Sequence, residues 1–282
     1  MTRIILTGDG SKPAIAAAVS ELLPLLRRRG EVAVVDLAMD RDLEKVEADL
    51  AVILGGDGAI LSATRRLGRN QVPAIGINLG KFGFLAEVSA AEFREHFEDI
   101  LAGRYRVSRR MMLACRLERD GRLLGQYLAL NDVVVSRGAL SRLVRIALAI
   151  DGHQATTYNG DGVIVSTPTG STAHSLSAGG PVMEPSLEAM VVTPICPHTL
   201  TNRPLVLPGT VEVALRTEAT PVDVGLTLDG QVYQELAEGD RVTIRRAPQT
   251  FQLVDLGLRT YYDTLREKLN WRGSTDYRRR RD

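Results

Sequence analysis

The pattern of apolar runs changes near residue 105, and this change constrains the fold more than any other feature of the sequence. Before it, short apolar runs such as RIIL, DLAVILGG and PAIGIN alternate with helix-like segments, which predicts a parallel α/β sheet. After it, strand-like runs from MLACRLER to DRVTIRR follow one another with turn signals between them. We therefore predict an α/β N-terminal domain over residues 1–104 and a mainly β C-terminal domain over residues 105–255. The helical pattern of LRTYYDTLREKLNW predicts that the segment 256–282 packs back on the first domain.

The composition excludes several classes of protein. With 282 residues, of which 44% are hydrophobic and 24% charged, the chain is typical of a globular protein with one large domain or two ordinary ones. Its formal net charge of +1 predicts no general attraction to nucleic acid or to an anionic membrane. Cys115 and Cys196 lack metal-ligand or CxxC spacing and are expected to be reduced thiols. Because no segment approaches the roughly 18 consecutive apolar residues of a membrane span and the N-terminus lacks a signal-peptide pattern, we expect a cytoplasmic protein.

The stretch VILGGDGAIL, residues 52–61, sets three glycines around Asp57 directly after an apolar run that reads as a buried strand. Glycine-rich turns between a strand and a helix often bind phosphate, because backbone N–H groups and a helix N-terminus favour anions. The stretch completes neither a Walker loop nor a G-x-G-x-x-G fingerprint. Two interpretations stay open for Asp57: it caps a helix in a tight turn, or it accepts a proton from an attacking hydroxyl or helps to hold Mg²⁺ beside a phosphate site.

Two further stretches combine glycines with polar groups at the ends of apolar runs. INLGKFGFLAEV, residues 77–88, could be a simple strand-to-helix connection whose apolar residues enter the core. YNGDGVIVSTPTGSTAHSLSAGGPVMEP, residues 158–185, runs from a strand into a dense set of hydroxyl side chains. Such hydroxyls suit the adenine or ribose edge of a ligand, although Ser/Thr-rich turns also cap helices.

Taken in chain order, six blocks resemble the NAD kinase family over nearly the whole length of the sequence. The glycine-rich blocks are GGDG at 55–58, NLGKFGFL at 78–85 and GDGVIVSTPTGSTAHSLSAGGP at 160–181, and the others are Asn131–Asp132, PHTLTNRPL at 197–205 and DGQ at 229–231. GGDG alone is weak, since diacylglycerol-type lipid kinases and phosphofructokinases share it. The TPTGSTA and NxGxxGFL patterns are far more specific, and the resemblance implies an NAD kinase/diacylglycerol kinase-like fold.

The resemblance also implies an activity and a set of site residues. It implies transfer of the terminal phosphoryl group of ATP to the 2′-hydroxyl of the adenosine ribose of NAD, which makes NADP and ADP. Mg²⁺, or another divalent cation, is expected through the ATP phosphates rather than in a protein metal site, and the chain is expected to form a homodimer or homotetramer. Asp57 matches the family's general base, and Gly55, Gly56 and Gly58 form the phosphate loop. The residues that match NAD contacts are Asp57, Gly58, Asn131, Asp132, Arg142, Asn159, Asp161, Thr172, Ala173, His174, Ser175, Leu176, Ser177 and Gln231.

Two positions depart from the family pattern. Asp132 stands where the family usually has Glu, so its carboxylate is one methylene shorter, and His174 stands where Tyr is common. An imidazole can still stack on a ring, but unlike tyrosine it can carry a positive charge. Two alternative functions follow: an NAD-binding sensor that has lost the chemistry, and a kinase of the GGDG group that acts on a lipid or sphingoid alcohol.

Overall fold

A computed structural model describes residues 1–80, 83–138, 143–199, 201–218 and 223–271 of the chain. Its helices are α1 (Pro13–Arg29), α2 (Asp57–Leu67), α3 (Ala90–Glu95), α4 (Phe97–Leu101), α5 (His174–Ser177) and α6 (Tyr261–Lys268). The strands of the first half are β1 (Arg3–Gly8), β2 (Glu31–Asp36), β3 (Leu50–Leu54), β4 (Ala74–Asn78) and β5 (Val88–Ser89). None of the helices in the described ranges has both the length and the apolar character needed to cross a bilayer.

The second half of the chain is built mainly from strands. They are β6 (Arg106–Arg119), β7 (Arg122–Ala129), β8 (Asp132–Arg137), β9 (Val144–Ile150), β10 (His153–Gly160), β11 (Gly162–Ser166), β12 (Ala189–Ile195), β13 (Leu205–Pro208), β14 (Val213–Glu218), β15 (Val224–Leu228), β16 (Val232–Leu236) and β17 (Arg241–Asp255).

The strands form two sheets. In the first, the parallel run β2-β1-β3-β4 continues through β17 into the antiparallel strands β14, β9 and β10, and β6 and β7 join through β17. The second sheet is antiparallel, in the order β13-β12-β11-β8-β15-β16. A core of apolar side chains from both sheets fills the space between them. Because β17 runs from the antiparallel region to the edge of β4, the two halves of the chain share one continuous sheet.

The helices of the first half follow from the sequence pattern. Pro13 lies in the first turn of α1, where its missing N–H costs nothing, and the buried side chains of α1 recur at helical spacing, from Ile15 through Val19 and Leu22 to Leu26. At the other end of the chain, α6 approaches this half. Thr264 donates a hydrogen bond to Glu87 at 2.9 Å, and Arg259 binds Glu92 at 2.8 Å. The division of the chain at residues 104 and 255 stays a prediction.

The parallel strands place two glycine-rich loops side by side. Every residue of β3 and β4 is buried, as expected for strands covered on both faces. Leu54 and Ile77 pair near the carboxyl ends of these strands, and Gly55 donates its N–H to the Ile77 carbonyl at 2.9 Å. The GGDG loop and the loop that begins at Asn78 therefore leave the sheet at the same edge, which is where ligands bind in α/β sheets.

Candidate active site

The GGDG loop joins β3 directly to α2. Gly55 has a φ of +134°, a conformation that side chains disfavour, and Gly56 is the residue that precedes the helix. No side chain caps the first turn of α2, and Gly56 and Gly58 are exposed. The loop therefore presents backbone N–H groups at a helix N-terminus, an arrangement that favours an anion such as phosphate.

The Asp57 carboxylate is held by the neighbouring loop. Its Oδ1 accepts the N–H groups of Leu85 and Ala86, both at 3.0 Å, and its Oδ2 accepts that of Phe84 at 2.9 Å. Asp57 is thus the first residue of α2, but its side chain reaches across to another loop and does not cap its own helix. Since an ionised carboxylate offers about four acceptor positions, one position on Oδ2 has no partner among the described residues.

An open cavity of about 650 Å³ lies against the GGDG loop. Its lining includes one carboxylate and one ammonium group, Asp9 and Lys12, which form an ion pair at 3.4 Å. Other polar groups come from Asn78 and Gln231. The glycines of the lining are Gly55, Gly56, Gly58 and Gly80.

The turn 229–231 connects the GGDG loop to the second sheet. Gln231 donates its side-chain amide to the Gly58 carbonyl at 2.8 Å and accepts a hydrogen bond from Arg65 at 2.5 Å. Arg65 also donates to Asp229 at 3.3 Å. This turn therefore touches α2 at both its first and its last turn.

Asn131 and Asp132 lie at the start of β8, beside a second cavity of about 320 Å³. Asp132, Val134 and Ser136 alternate along β8, so the cavity follows one face of that strand. Its remaining lining residues are Asn131, Ala173, His174, Thr227, Asp229 and Gly230. Because Asp229 and Gly230 line this cavity and Gln231 lines the first one, the two cavities adjoin at the turn 229–231.

The Asp132 carboxyl lies in an unusual environment. Burial, followed by the nearby charge of Asp229, raises the pKa of Asp132 to about 7. Burial also raises the pKa of Asp229, although the N–H groups of residues 130–132 and the charge of Arg65 oppose that effect. Besides Asp132 and Asp229, the cavity is lined by one more ionisable side chain, that of His174.

Replacement of Asp132 by asparagine is expected to change how stability depends on pH. An unfolded Asp has a pKa of ~3.9, so the native carboxyl binds its proton more tightly, and its contribution to stability falls as the pH rises from about 4 to about 7. Asp132→Asn removes this loss. We expect the difference in melting temperature, variant minus wild type, to increase by several degrees between pH 5 and pH 8. The conversion is roughly 2–4 °C per kcal/mol of stability. A difference that stays constant across this range would contradict the raised pKa.

Several hydroxyl groups of the stretch after β11 form hydrogen bonds within the protein. Thr167 donates its hydroxyl to the Leu130 carbonyl at 2.6 Å, Ser171 donates to the Pro168 carbonyl at 2.7 Å, and Ser175 shares a hydrogen bond with Thr193 at 2.9 Å. These hydroxyls are buried. A pattern that suggested ligand contacts therefore also has a structural use. Thr172, Ala173 and Leu176 are partly exposed, and His174 and Ser177 are exposed.

Asn159 and Asp161 lie at the opposite end of β11. Asp132 pairs with Ser166 at one end of this strand, and Gly162 pairs with Ser136 at the other, so Asp161 and Ser166 are separated by roughly 17 Å at ~3.4 Å per residue. The Arg137 guanidinium binds the Asp161 carboxylate at 2.6 Å and lowers the pKa of Asp161. The structure thus spreads the expected NAD contacts along a strand, and Arg142 falls outside the described residues.

Two residues of this region are not predicted as site residues from the sequence. Asp229 is the first residue of the DGQ block, and Arg65 is one of two arginines in the last turn of α2. Asp229 has a φ of +50°, and an Asp-Gly pair between two strands is a turn signal. That signal predicts the turn, but not that its carboxylate reaches a loop almost 100 residues earlier in the chain.

Two family models match most of this chain. The family model of the ATP-NAD kinase N-terminal domain matches residues 13–105, and that of the ATP-NAD kinase C-terminal domain matches residues 130–256. The curated NAD kinase of Geobacter metallireducens is 44% identical over 280 residues, which cover 96% of this chain and 99% of that protein. The NAD kinase of Geotalea daltonii is 47% identical over 231 residues, which cover 82% and 81% of the two chains.

Two solved structures share the fold. The yeast NADH kinase complexed with NADH has a TM-score of 0.89 and 27% identity, over 98% of this chain and 89% of that one. An NAD kinase from Archaeoglobus fulgidus in complex with ATP has a TM-score of 0.76 and 27% identity, over 95% of this chain and 98% of that one. The fold and these matches define a phosphotransferase of the kinase class, with an alcohol group as acceptor. The chain belongs to the NAD kinase family, which confirms the family resemblance and the α/β plus mainly β fold predicted from the sequence.

Proposed function

We propose that this chain transfers the terminal phosphoryl group of ATP to the 2′-hydroxyl of the adenosine ribose of NAD, giving NADP and ADP. The observation that carries the proposal is the junction of the two cavities at the turn 229–231. The cavity at GGDG offers backbone N–H groups and Lys12 for the ATP phosphates. The cavity along β8 follows one face of that strand and is lined by neutral groups, the carboxyl groups of Asp132 and Asp229, and His174, which suits the polar adenosine part of a dinucleotide. The two substrates would then meet beside α2.

The NAD contacts in this proposal are those that the family resemblance implies. Asn131, Asp132, Ala173 and His174 support it by lining one cavity, and Gln231 supports it by reaching Gly58. Asn159, in β10, and Asp161, just before β11, would contact the nicotinamide end of the molecule. The proposed set is completed by Asp57, Gly58, Thr172, Ser175, Leu176, Ser177 and Arg142.

Asp57 is proposed as the general base. The ribose oxygen attacks the terminal phosphorus of ATP, the bond from that phosphorus to the bridging oxygen of ADP breaks, and the hydroxyl proton passes to Asp57. The acceptor position on Oδ2 that no described residue occupies supports this role, and the three N–H donors of residues 84–86 keep the carboxylate in one orientation. General-base assistance of this kind typically contributes ~10²- to 10⁴-fold to the rate.

A divalent cation, Mg²⁺ or another, is proposed to enter with ATP. In phosphoryl-transfer sites Mg²⁺ is typically held by one or two carboxylates together with substrate phosphates. Across the described ranges, no group of three His, Cys, Asp or Glu side chains could hold a metal ion. The cavity at GGDG offers oxygen donors from Asp9 and Asn78, and Asp9 is the carboxylate that would touch the cation. When bound, the ion offsets the charge of the phosphates.

The cellular setting is also proposed. Cys115 and Cys196 are free thiols, which supports the cytoplasm as the compartment. Strands β13 and β16 are the edges of the second sheet, and they expose Val206 (51%) and Tyr233 (62%). Because exposed apolar edge strands tend to pair with another chain, they support a homodimer or homotetramer, which light scattering would measure.

A coupled assay tests the function. Purified protein is incubated with NAD and Mg-ATP, and NADP is detected with an NADP-specific dehydrogenase. We expect NADP to accumulate only when both substrates are present. Binding of NAD without formation of NADP would contradict the proposal and support a sensor. Transfer to diacylglycerol or sphingosine, but not to NAD, would contradict it in favour of a lipid kinase.

A further inference from the structure

The Asp229 carboxylate is the meeting point of four hydrogen-bond donors. Its Oδ1 accepts the N–H groups of Asn131 at 2.8 Å and Asp132 at 3.1 Å. Its Oδ2 accepts the N–H group of Leu130 at 3.0 Å and the guanidinium of Arg65 at 3.3 Å. The side chain is completely buried. Because all four acceptor positions of the carboxylate are used, Asp229 has a defined orientation and touches no ligand through a free oxygen.

These contacts connect two parts of the site that lie far apart in the sequence. The segment 130–132 carries Asn131 and Asp132 to the cavity along β8. On the other side, Arg65 binds both Asp229 and Gln231, and Gln231 binds the Gly58 carbonyl of the GGDG loop. A continuous chain of hydrogen bonds therefore runs from the loop of the second sheet to the first turn of α2.

We propose that Asp229 is a positioning residue for the dinucleotide, which holds the backbone of residues 130–132 in the binding geometry and, through Arg65, holds it at a fixed place relative to α2. The proposal rests on the function proposed above. If the segment 130–132 loses its anchor, the free protein samples conformations in which Asn131 and Asp132 are misplaced. The affinity for NAD then falls in proportion to the population of the competent conformation. The ATP phosphates, which bind at GGDG, are expected to respond much less.

Asparagine is an informative replacement at this position. Asn and Asp both tolerate the positive φ of +50° at residue 229, so the turn itself is retained. The amide has a single acceptor oxygen, however. Its NH₂ group would face either the N–H of Leu130 together with the guanidinium of Arg65, or the N–H groups of Asn131 and Asp132. Asp229→Asn therefore removes half of the anchor while it preserves the size and backbone preference of the side chain.

The chain offers a matched control in Asp240. Its side chain is also completely buried, and it accepts Arg119 at 2.8 and 2.9 Å and the N–H of Ala237 at 2.8 Å. It lies in the turn between β16 and β17 and lines neither of the two cavities. Asp240→Asn reproduces the loss of a buried, arginine-paired carboxylate without touching the segment 130–132.

Two measurements on wild type, Asp229→Asn and Asp240→Asn test the proposal. In amide hydrogen exchange, we expect Asp229→Asn to accelerate exchange at residues 130–132, and Asp240→Asn to leave those amides unchanged. In steady-state kinetics, we expect Asp229→Asn to raise the KM for NAD roughly tenfold to a hundredfold, the range for losing a hydrogen bond to a charged group. The KM for ATP should stay within about twofold. Arg65→Met, which removes only the guanidinium, should raise the KM for NAD several-fold.

The outcomes are distinct. Unchanged exchange at residues 130–132 in Asp229→Asn would overturn the proposal, and so would an equal rise of the KM for NAD in Asp240→Asn. If Asp229→Asn fails to fold, the KM for NAD of Arg65→Met tests the proposal instead. An unchanged KM for NAD in that variant would overturn the proposed link between α2 and the segment 130–132. If the wild type forms no NADP, the proposed function fails, and hydrogen exchange still decides whether Asp229 holds the segment.

Discussion

Asp57→Asn is expected to lower turnover by roughly 10²- to 10⁴-fold, the usual range for loss of a general base. The amide has nearly the shape of the carboxylate but cannot accept the proton that the ribose hydroxyl loses. Turnover with saturating NAD and Mg-ATP measures the effect. Because most of the proposed NAD contacts lie outside the GGDG loop, the affinity for NAD should change much less than the turnover.

The structural contacts of Asp57 call for a control. Its carboxylate accepts three backbone N–H groups from residues 84–86. Asp57→Asn also weakens these contacts, and release of that loop would lower turnover as well. Hydrogen exchange at Phe84, Leu85 and Ala86 distinguishes the two causes. Turnover close to that of the wild type would contradict the role of Asp57 as base. A large loss accompanied by fast exchange throughout this loop would assign the effect to misplacement.

Gly83→Ala is expected to lower turnover by a similar factor, roughly 10²-fold or more by loss of the positioned base. A methyl group at Gly83 would overlap the Asp57 carboxylate, so either the carboxylate or the loop must move. A misplacement of about 1 Å can lower the rate about a hundredfold, so a shift of the Asp57 carboxylate lowers turnover. Turnover and NAD binding should be measured together, since we expect the binding of NAD to persist.

Gly80→Ala is the matched control for this prediction. Gly80 lies in the same loop, but among the described residues the nearest atom to an added methyl group, Oδ1 of Asn78, is 3.9 Å away. Because Gly80 also lines the cavity at GGDG, turnover is measured with saturating Mg-ATP, and under that condition we expect this variant to stay within a few-fold of the wild type. If both variants lose turnover equally, the overlap with Asp57 is not the cause, and the loop tolerates no added side chain.

Local features of the site could be predicted from the sequence. The apolar run before GGDG predicts a buried strand, and the glycines predict a turn that leads into a helix. Both are found in β3 and α2. The blocks of the NAD kinase family add the fold and the family, which the comparisons confirm. The assignment of individual site residues to NAD contacts remains a prediction.

The contacts that organise the site could not be predicted, because they join residues distant in the chain. Asp57 meets the backbone of residues 84–86, which lie 27 to 29 positions away. Asp229 meets residues 130–132, which lie 97 to 99 positions away. In neither case are these donors side chains with a recognisable pattern, since backbone N–H groups are present at almost every residue. Only the folded chain shows which of them converge.

In the hydroxyl-rich stretch, the sequence pattern does not show which hydroxyls bind within the protein. Thr167, Ser171 and Ser175 bind carbonyl or hydroxyl groups of the protein. Short polar side chains often satisfy backbone groups in turns, and composition alone does not separate that use from ligand binding. The exposed His174 and Ser177 remain the more accessible members of the stretch.

The most direct measurement of the central claim is the position of the transferred phosphate. The protein is incubated with ATP labelled in its terminal phosphoryl group and with either NAD or an NAD analogue that lacks the 2′-hydroxyl of the adenosine ribose. We predict label on NAD, located at the 2′-oxygen by phosphorus NMR, and none on the analogue. Equal labelling of the analogue, or no labelling of NAD by protein that binds it, would contradict the proposed reaction.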